Sequence, residues 1–185
     1  MIGHNGGPTL DDGVTWRRHC WTAAREAMLP TLPIEVVRLR VKRARDLGLE
    51  YKTYASVRAA SGHDLVAFLF SSNALRVTAL MHAVPADRAA KLELIRSCGR
   101  IALATAPLVA ADILAANPDL IDAGFAAPYG LARYADIRAS LRAAIANLPS
   151  DRVLLVGDHG LERDWCAAGR LAGYLPAARY FASRN

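Results

Sequence analysis

The chain has 185 residues, of which 53% are hydrophobic and 22% are charged, and its 23 lysines and arginines against 17 aspartates and glutamates give a net charge of +6. This composition excludes the disordered, collagen-like and disulfide-rich classes of protein. A single domain of this length buries roughly 70% of the surface of its extended chain. We therefore expect a hydrophobic core that needs neither metal nor disulfide crosslinks.

Two features of the sequence bear on the cell compartment. The three cysteines, Cys20, Cys98 and Cys166, are odd in number and far apart, which is typical of a reducing compartment rather than of a disulfide framework. The longest apolar segment, residues 101–116, contains Asp112 and a proline, and it is too short to span a bilayer. The sequence therefore predicts a cytoplasmic protein without a membrane segment.

The beginning of the chain is rich in glycine. The first thirteen residues hold four of the thirteen glycines and few apolar side chains, which predicts a flexible leader over residues 1–13 and a single domain over residues 14–185. The segment IGHNGGP at residues 2–8 resembles short leaders of prophage-type proteins from alphaproteobacteria. That resemblance implies a phage or mobile-element origin.

Two helices are predicted next, over residues 14–29 and from Pro33 to about Gly48, because apolar residues recur there at helical spacing. The second helix carries the densest group of cations in the chain, namely Arg38, Arg40, Lys42, Arg43 and Arg45. These five side chains predict salt-dependent contacts with the phosphates of a nucleic acid. The alternative is a solvated helix face whose arginines pair with nearby acids.

Residues 51–58 fit either a strand or a helix. In both cases Lys52 extends the basic group, and Tyr51 and Tyr54 are close enough along the chain to stack on unpaired bases. We therefore include these three side chains in the predicted nucleic-acid-binding surface.

Three apolar runs follow, at residues 65–70, 100–105 and 152–156, each of the length and composition typical of a strand that is buried on both faces. Helices are predicted around them, beginning near Ala74, Pro85, Pro107, Leu131 and Leu161, and a last strand is predicted at residues 178–182. This alternation predicts an α/β fold with a mostly parallel sheet in three layers, preceded by two helices.

Polar residues stand where two of these strands end. The first strand runs into Ser71, Ser72 and Asn73, and the third runs into Asp158 and His159. Because ligands of parallel sheets bind beyond the carboxyl ends of the strands, these five residues form the predicted ligand-binding site. His159 is the candidate for proton transfer there.

The stretch DRVLLVGDHGLERDWCAAGRLAGYLPAARYF at residues 151–181 has a strand that ends in Gly-Asp, a second aspartate, and a helix rich in alanine and glycine. Together with residues 71–73 it makes residues 61–183 resemble haloacid-dehalogenase-like hydrolases. The resemblance implies that Asp158 and Asp164 hold Mg²⁺ and that Ser71 or Ser72 binds a phosphoryl oxygen. The Asp-x-Asp motif with the nucleophile and the lysine of that family are missing, so the resemblance fits either an active phosphohydrolase or a catalytically inactive relic of one. The simpler alternative is a strand-to-helix turn that Asp158 caps.

Three functions remain open from the sequence. The first is a nucleic-acid-associated or other interaction protein of phage or mobile-element type that uses the basic helix. The second is a phosphohydrolase, or its inactive relic, of the haloacid-dehalogenase-like type. The third is a phage-type inhibitor that binds a host protein.

Overall fold

The computed structural model describes residues 32–182, which contain eight α-helices and five β-strands. The helices are α1 (Ile34–Asp46), α2 (Tyr51–Ser61), α3 (Ser72–Leu75), α4 (Ala86–Leu92), α5 (Ala110–Ala116), α6 (Tyr134–Ile145), α7 (Glu162–Gly169) and α8 (Ala177–Ala182). The strands are β1 (Ala67–Ser71), β2 (Gly99–Ala104), β3 (Ala123–Ala126), β4 (Val153–Gly157) and β5 (Gly173–Pro176). Within the described residues, those from Leu39 onward form one compact unit, which contains the sheet.

The five strands form one parallel sheet in the order β3-β2-β1-β4-β5. Leu69 at the middle of β1 pairs with Ile101 on one side and with Leu155 on the other. The three apolar runs of the sequence are thereby confirmed as the three adjacent central strands. Because all strands run in the same direction, their carboxyl ends meet at one edge of the sheet.

Alternate residues of the central strands face two separate cores, which gives the predicted three layers. Phe68 and Phe70 of β1 lie in one core with side chains from α2, α4, α5, α8 and the end of α1. Ala67 and Leu69 lie in the other core with side chains from α6 and α7. Both faces of β1 are therefore shielded from water, as its continuous apolar run predicts.

The structure corrects several predicted elements. Residues 51–58 belong to helix α2 and not to a strand. The last strand was expected at residues 178–182, but that segment is helix α8, and the strand is β5 just before it. Strand β3 was not predicted. The predicted leader and the predicted helix at residues 14–29 lie outside the described residues.

Helix α8 packs against the sheet through the side chain of Tyr180. The ring of Tyr180 lies 5.5 Å from that of Phe68 and 5.7 Å from that of Phe70, between ring centroids. The hydroxyl of Tyr180 donates a hydrogen bond to the carbonyl of Leu47 at 3.2 Å. These contacts fix the end of the chain against the sheet and against the residues that follow α1.

A membrane-spanning helix is not found within residues 32–182, because none of the helices there combines the necessary length with sufficient apolar character.

Candidate functional site

A cleft of about 540 Å³ opens at the carboxyl-terminal edge of the sheet. From β1 the chain builds the sheet toward β3 on one side and toward β5 on the other, so the boundary between β1 and β4 is where the strand order reverses. Ligands of open α/β sheets bind at this position. The cleft lies there, lined by Asn73, Arg76, Val77, Thr78, Asp158 and His159.

The two serines at the end of β1 are fully buried, and their side chains stabilise the backbone around them. The Oγ atom of Ser71 accepts a hydrogen bond from the backbone N–H of Ala74 at 3.1 Å. The Oγ atom of Ser72 accepts one from the backbone N–H of Thr105 at 3.1 Å, which ties the end of β1 to the end of β2. Asn73 therefore lines the cleft, whereas Ser71 and Ser72, which are also predicted to bind a ligand, do not.

Glu162, the first residue of α7, holds the floor of the cleft together. It is 2% exposed. Its Oε1 accepts a hydrogen bond from the side-chain amide of Asn73 at 2.8 Å, and its Oε2 accepts from the backbone N–H groups of Asp158 at 2.7 Å and His159 at 3.2 Å. A negative charge at the first turn of a helix is also favoured by the helix dipole. This one carboxylate thus joins the loops that follow β1 and β4.

Gly157 makes room for that carboxylate. A Cβ atom at this position would lie 2.4 Å from Oε2 of Glu162 and 2.7 Å from Cε2 of Tyr174. Real Cβ atoms do not approach other heavy atoms so closely. The glycine of the Gly-Asp pair is therefore required for the close approach of Glu162 to the end of β4.

Arg76 is the arginine of the cleft lining, whereas Arg88 is buried outside that lining with its guanidinium 4.2 Å from the ring centroid of Phe181. Arg76 lies on the cleft wall and is exposed, with a left-handed backbone (φ 56°) that closes helix α3. Arg88 is 4% exposed; one Nη donates to the carbonyl of Ala74, while its Nε is buried without a partner. Burial lowers the pKa of Arg88 from its ordinary value, and the cation Arg76 lowers it further, whereas Asp87 and Asp158 raise it.

Asp158 and His159 present exposed side chains at the cleft. The Nδ1 atom of His159 accepts a hydrogen bond from the backbone N–H of Leu161 at 3.3 Å. This bond assigns the neutral ring proton to Nε2, which is therefore a donor for a bound ligand. Asp158 does not cap α7 through its side chain; its backbone N–H is held by Glu162 instead.

The donor set does not fit Mg²⁺. Asp164 is exposed and is not part of the cleft lining, and both oxygens of Glu162 already accept hydrogen bonds. Within residues 32–182 no three carboxylates, histidines or cysteines are grouped so that they would hold a metal ion. Hard divalent cations take several oxygen ligands, so we derive no chemical step through a metal at Asp158 and Asp164.

One of the five α1 cations that are predicted to contact phosphates instead forms hydrogen bonds within the protein. The guanidinium of Arg43 donates to Oδ2 of Asp64 at 3.0 Å and to the carbonyls of Leu65, Arg96 and Ser97 at 2.8 to 3.1 Å. Four of its five N–H donors are taken by these acceptors. Arg43 therefore stabilises the fold, and one N–H is left for the predicted contact with a nucleic acid.

The other cations of α1 differ in their surroundings. Arg38 pairs with Glu35 at 3.3 Å on the exposed surface, and the Nε atom of Arg40 is buried without a partner among the described residues. Lys42 and Arg45 are exposed, and neither side chain has a hydrogen bond or ion pair with any residue in the range 32–182. Lys42 and Arg45 are therefore the cations of the predicted set on α1 that are both exposed and without a partner among residues 32–182.

The aromatic part of the predicted surface is divided by the fold. Tyr54 is 2% exposed, and its hydroxyl donates to Oδ1 of Asp64 at 2.9 Å while accepting from Arg58 at 3.3 Å. Its ring is therefore packed in the core of the protein and is not presented to solvent, where the prediction of base stacking requires it. Tyr51 is half-buried at the start of α2, and Lys52 is exposed beside it.

Sequence reasoning missed Arg76, Thr78 and Glu162 at this site. Arg76 follows Asn73 by only three residues, so the rule that placed Asn73 at the cleft also pointed to it. Glu162 stands four residues after Asp158 in the first turn of the predicted helix, a spacing that brings a side chain back to the preceding loop.

Comparison of the chain with models of protein families, with curated proteins and with solved structures found no match.

Proposed function

We propose that this protein binds a small anionic molecule, of the class of hydroxyl-bearing phosphate esters, in the cleft between β1 and β4. The observation that carries the proposal is the lining of the cleft, which brings the exposed side chains of Arg76, Asp158 and His159 together at the carboxyl ends of β1 and β4. An exposed guanidinium in such a concavity forms charge-assisted hydrogen bonds in pairs with phosphate oxygens.

The remaining side chains of the cleft define the rest of the ligand. Arg76 and the Nε2–H of His159 are donors for an oxyanion. The carboxylate of Asp158 is an acceptor, which suits a hydroxyl group of the ligand. Val77 offers an apolar contact between them. This combination of one cation, one carboxylate and neutral polar groups favours a phosphate ester over inorganic phosphate alone.

The same geometry supports binding rather than hydrolysis. Nucleophilic catalysis needs an activated side chain beside the bound group. In the described sheet the central strand β1 ends in Ser71, whose hydroxyl is buried and caps the following turn. The haloacid-dehalogenase-like alternative would require a nucleophile at this place, so we propose a binding protein on this site.

Replacing Arg76 tests the proposed ligand. With ribose 5-phosphate as the probe, isothermal titration of the wild-type protein should show saturable binding, and Arg76→Ala should weaken it by roughly 10-fold to 100-fold, the value of one charge-assisted hydrogen bond. Arg45→Ala, which removes one exposed charge elsewhere, should leave the affinity unchanged. No binding by the wild type, or equal losses in both variants, would refute the proposal.

A second candidate is the binding of nucleic acid by α1, favoured by Lys42 and Arg45. These residues are three apart on one helix and therefore share a face, and both are exposed without a partner among residues 32–182. Lys52 is exposed as well.

The salt dependence of binding tests this second candidate. Lys42→Ala/Arg45→Ala should weaken the binding of single-stranded DNA. The slope of log affinity against log salt concentration should become shallower by about 1 to 2, because fewer counterions are released when fewer phosphate contacts form. Fluorescence anisotropy at several salt concentrations measures both quantities. Arg76→Ala/Arg96→Ala, which removes two positive charges from exposed side chains outside α1, serves as the charge-matched control. An unaltered slope in the double variant would remove α1 as the binding element.

A further inference from the structure

A second pocket, of about 470 Å³, lies at the opposite edge of the sheet between α6 and α7. Ser150 of its lining precedes β4 and Arg170 precedes β5, so the pocket opens at the amino-terminal ends of these strands. The cleft between β1 and β4 is at the carboxyl-terminal ends. The two cavities are therefore separate, and an inference about this pocket is independent of the function proposed above.

The charged side chains of this pocket are all cations. Arg138, Arg142 and Arg170 line it, and its lining includes no aspartate or glutamate. Arg138 donates to the carbonyl of Ala168 at 3.1 Å, which holds its guanidinium in place. Three positive charges converge on one concavity without a compensating carboxylate in the lining.

The side chains of two of these arginines have no partner among residues 32–182. Neither the Arg142 nor the Arg170 side chain forms a hydrogen bond, ion pair or ring contact with another residue of the part of the chain that the structure describes. Both are exposed to the pocket and solvent. Their guanidinium groups are free to bind an anion.

The helix dipoles do not account for this arrangement. Arg142 lies in the last turn of α6 and Arg170 follows the end of α7, where cations interact favourably with helix carbonyls. That interaction is worth about half a charge at each helix end, which leaves most of the three positive charges uncompensated. Of the three guanidinium groups, that of Arg138 donates to a helix carbonyl, and the other two have no such bond within residues 32–182.

The backbone of Arg170 adds a separate observation. Its φ of 52° is in the left-handed region, which favours glycine or asparagine at the end of a helix. Its backbone N–H donates to the carbonyls of Ala167 and Cys166 and so ends α7. This turn places the Arg170 side chain in the lining of the pocket.

We propose that this pocket binds a compound with two adjacent phosphate groups. Such a group carries a charge of about −3 at neutral pH, which matches three guanidinium groups better than a single phosphate of about −2. Planar guanidinium groups bind phosphate oxygens in pairs. Ile145 and Leu148 form an apolar wall of the pocket against which the organic part of the compound packs.

The test uses pyrophosphate and protein that already carries Arg76→Ala, so that the cleft between β1 and β4 does not contribute. Isothermal titration should show one site for pyrophosphate, with at least tenfold weaker binding of inorganic phosphate. Adding Arg142→Gln and Arg170→Gln should weaken pyrophosphate binding by more than tenfold. Both side chains are exposed, and circular dichroism confirms that the variant is folded.

A matched control separates a site from general attraction by the net charge of +6. Arg45→Gln/Arg96→Gln removes the same charge from two exposed arginines whose side chains have no contact within residues 32–182. The control should bind pyrophosphate like its parent. Equal weakening in the two double variants, or no measurable binding before substitution, would overturn the proposal.

Discussion

Glu162→Gln should lower the free energy of unfolding by about 2 kcal/mol. The carboxylate accepts hydrogen bonds at both oxygens, from the Asn73 amide on one side and from the backbone N–H groups of Asp158 and His159 on the other. A glutamine has one amide oxygen, so its NH₂ group must face donors on one of the two sides. Urea denaturation followed by circular dichroism measures the loss.

The matched control for this prediction is Glu93→Gln. Glu93 is exposed, and its side chain has no hydrogen bond or ion pair in the described part of the chain. The free energy of unfolding of this variant should therefore lie within about 0.5 kcal/mol of the wild-type value. If the two variants were equally stable, the carboxylate of Glu162 would not be what joins the loops after β1 and β4.

Arg43→Ala should be the most destabilising arginine substitution on α1, with a loss of about 2–4 kcal/mol in the free energy of unfolding. It removes a partly buried ion pair to Asp64 and leaves the carbonyls of Leu65, Arg96 and Ser97 without their donor. These acceptors come from the segments that precede β1 and β2. The guanidinium therefore fastens α1 to the amino-terminal ends of two strands.

Two further variants show whether the loss of stability in Arg43→Ala comes from the geometry of the guanidinium or from its charge. Arg45→Ala removes the same charge from an exposed side chain two residues later and should change stability by less than about 0.5 kcal/mol. The free energy of unfolding of Arg43→Lys should lie between those of the wild type and Arg43→Ala, because the ammonium group of lysine cannot reach four acceptors as the planar guanidinium does. Equal unfolding midpoints for Arg43→Ala and Arg45→Ala would contradict the structural role of Arg43.

The central strands could be predicted from the sequence because burial on both faces leaves a continuous apolar run. β1, β2 and β4 are such runs. The edge strands β3 and β5 have the sequences AGFA and GYLP, which are short, contain glycine or proline, and show no such signal. The segment after β5 was mistaken for a strand because its aromatic side chains pack on β1, a tertiary contact that local sequence does not reveal.

The position of the cleft was also predictable, because parallel strands place their carboxyl ends at one edge. Asn73, Asp158 and His159 lie there for this reason. Which polar side chain faces a ligand and which supports the backbone was not predictable: Ser72 turns toward Thr105, whereas Asn73 remains at the cleft. The roles of Arg43 and Tyr54 depend on Asp64, ten or more residues away, so helix periodicity gave no sign of them.

Titration of ¹⁵N-labelled protein with ribose 5-phosphate, followed by NMR, tests the proposal that the cleft between β1 and β4 binds a phosphate ester. The largest saturable changes in amide chemical shift should occur at Asn73, Arg76, Thr78, Asp158 and His159. Changes confined to other parts of the protein, with these five signals unmoved at saturation, would contradict it.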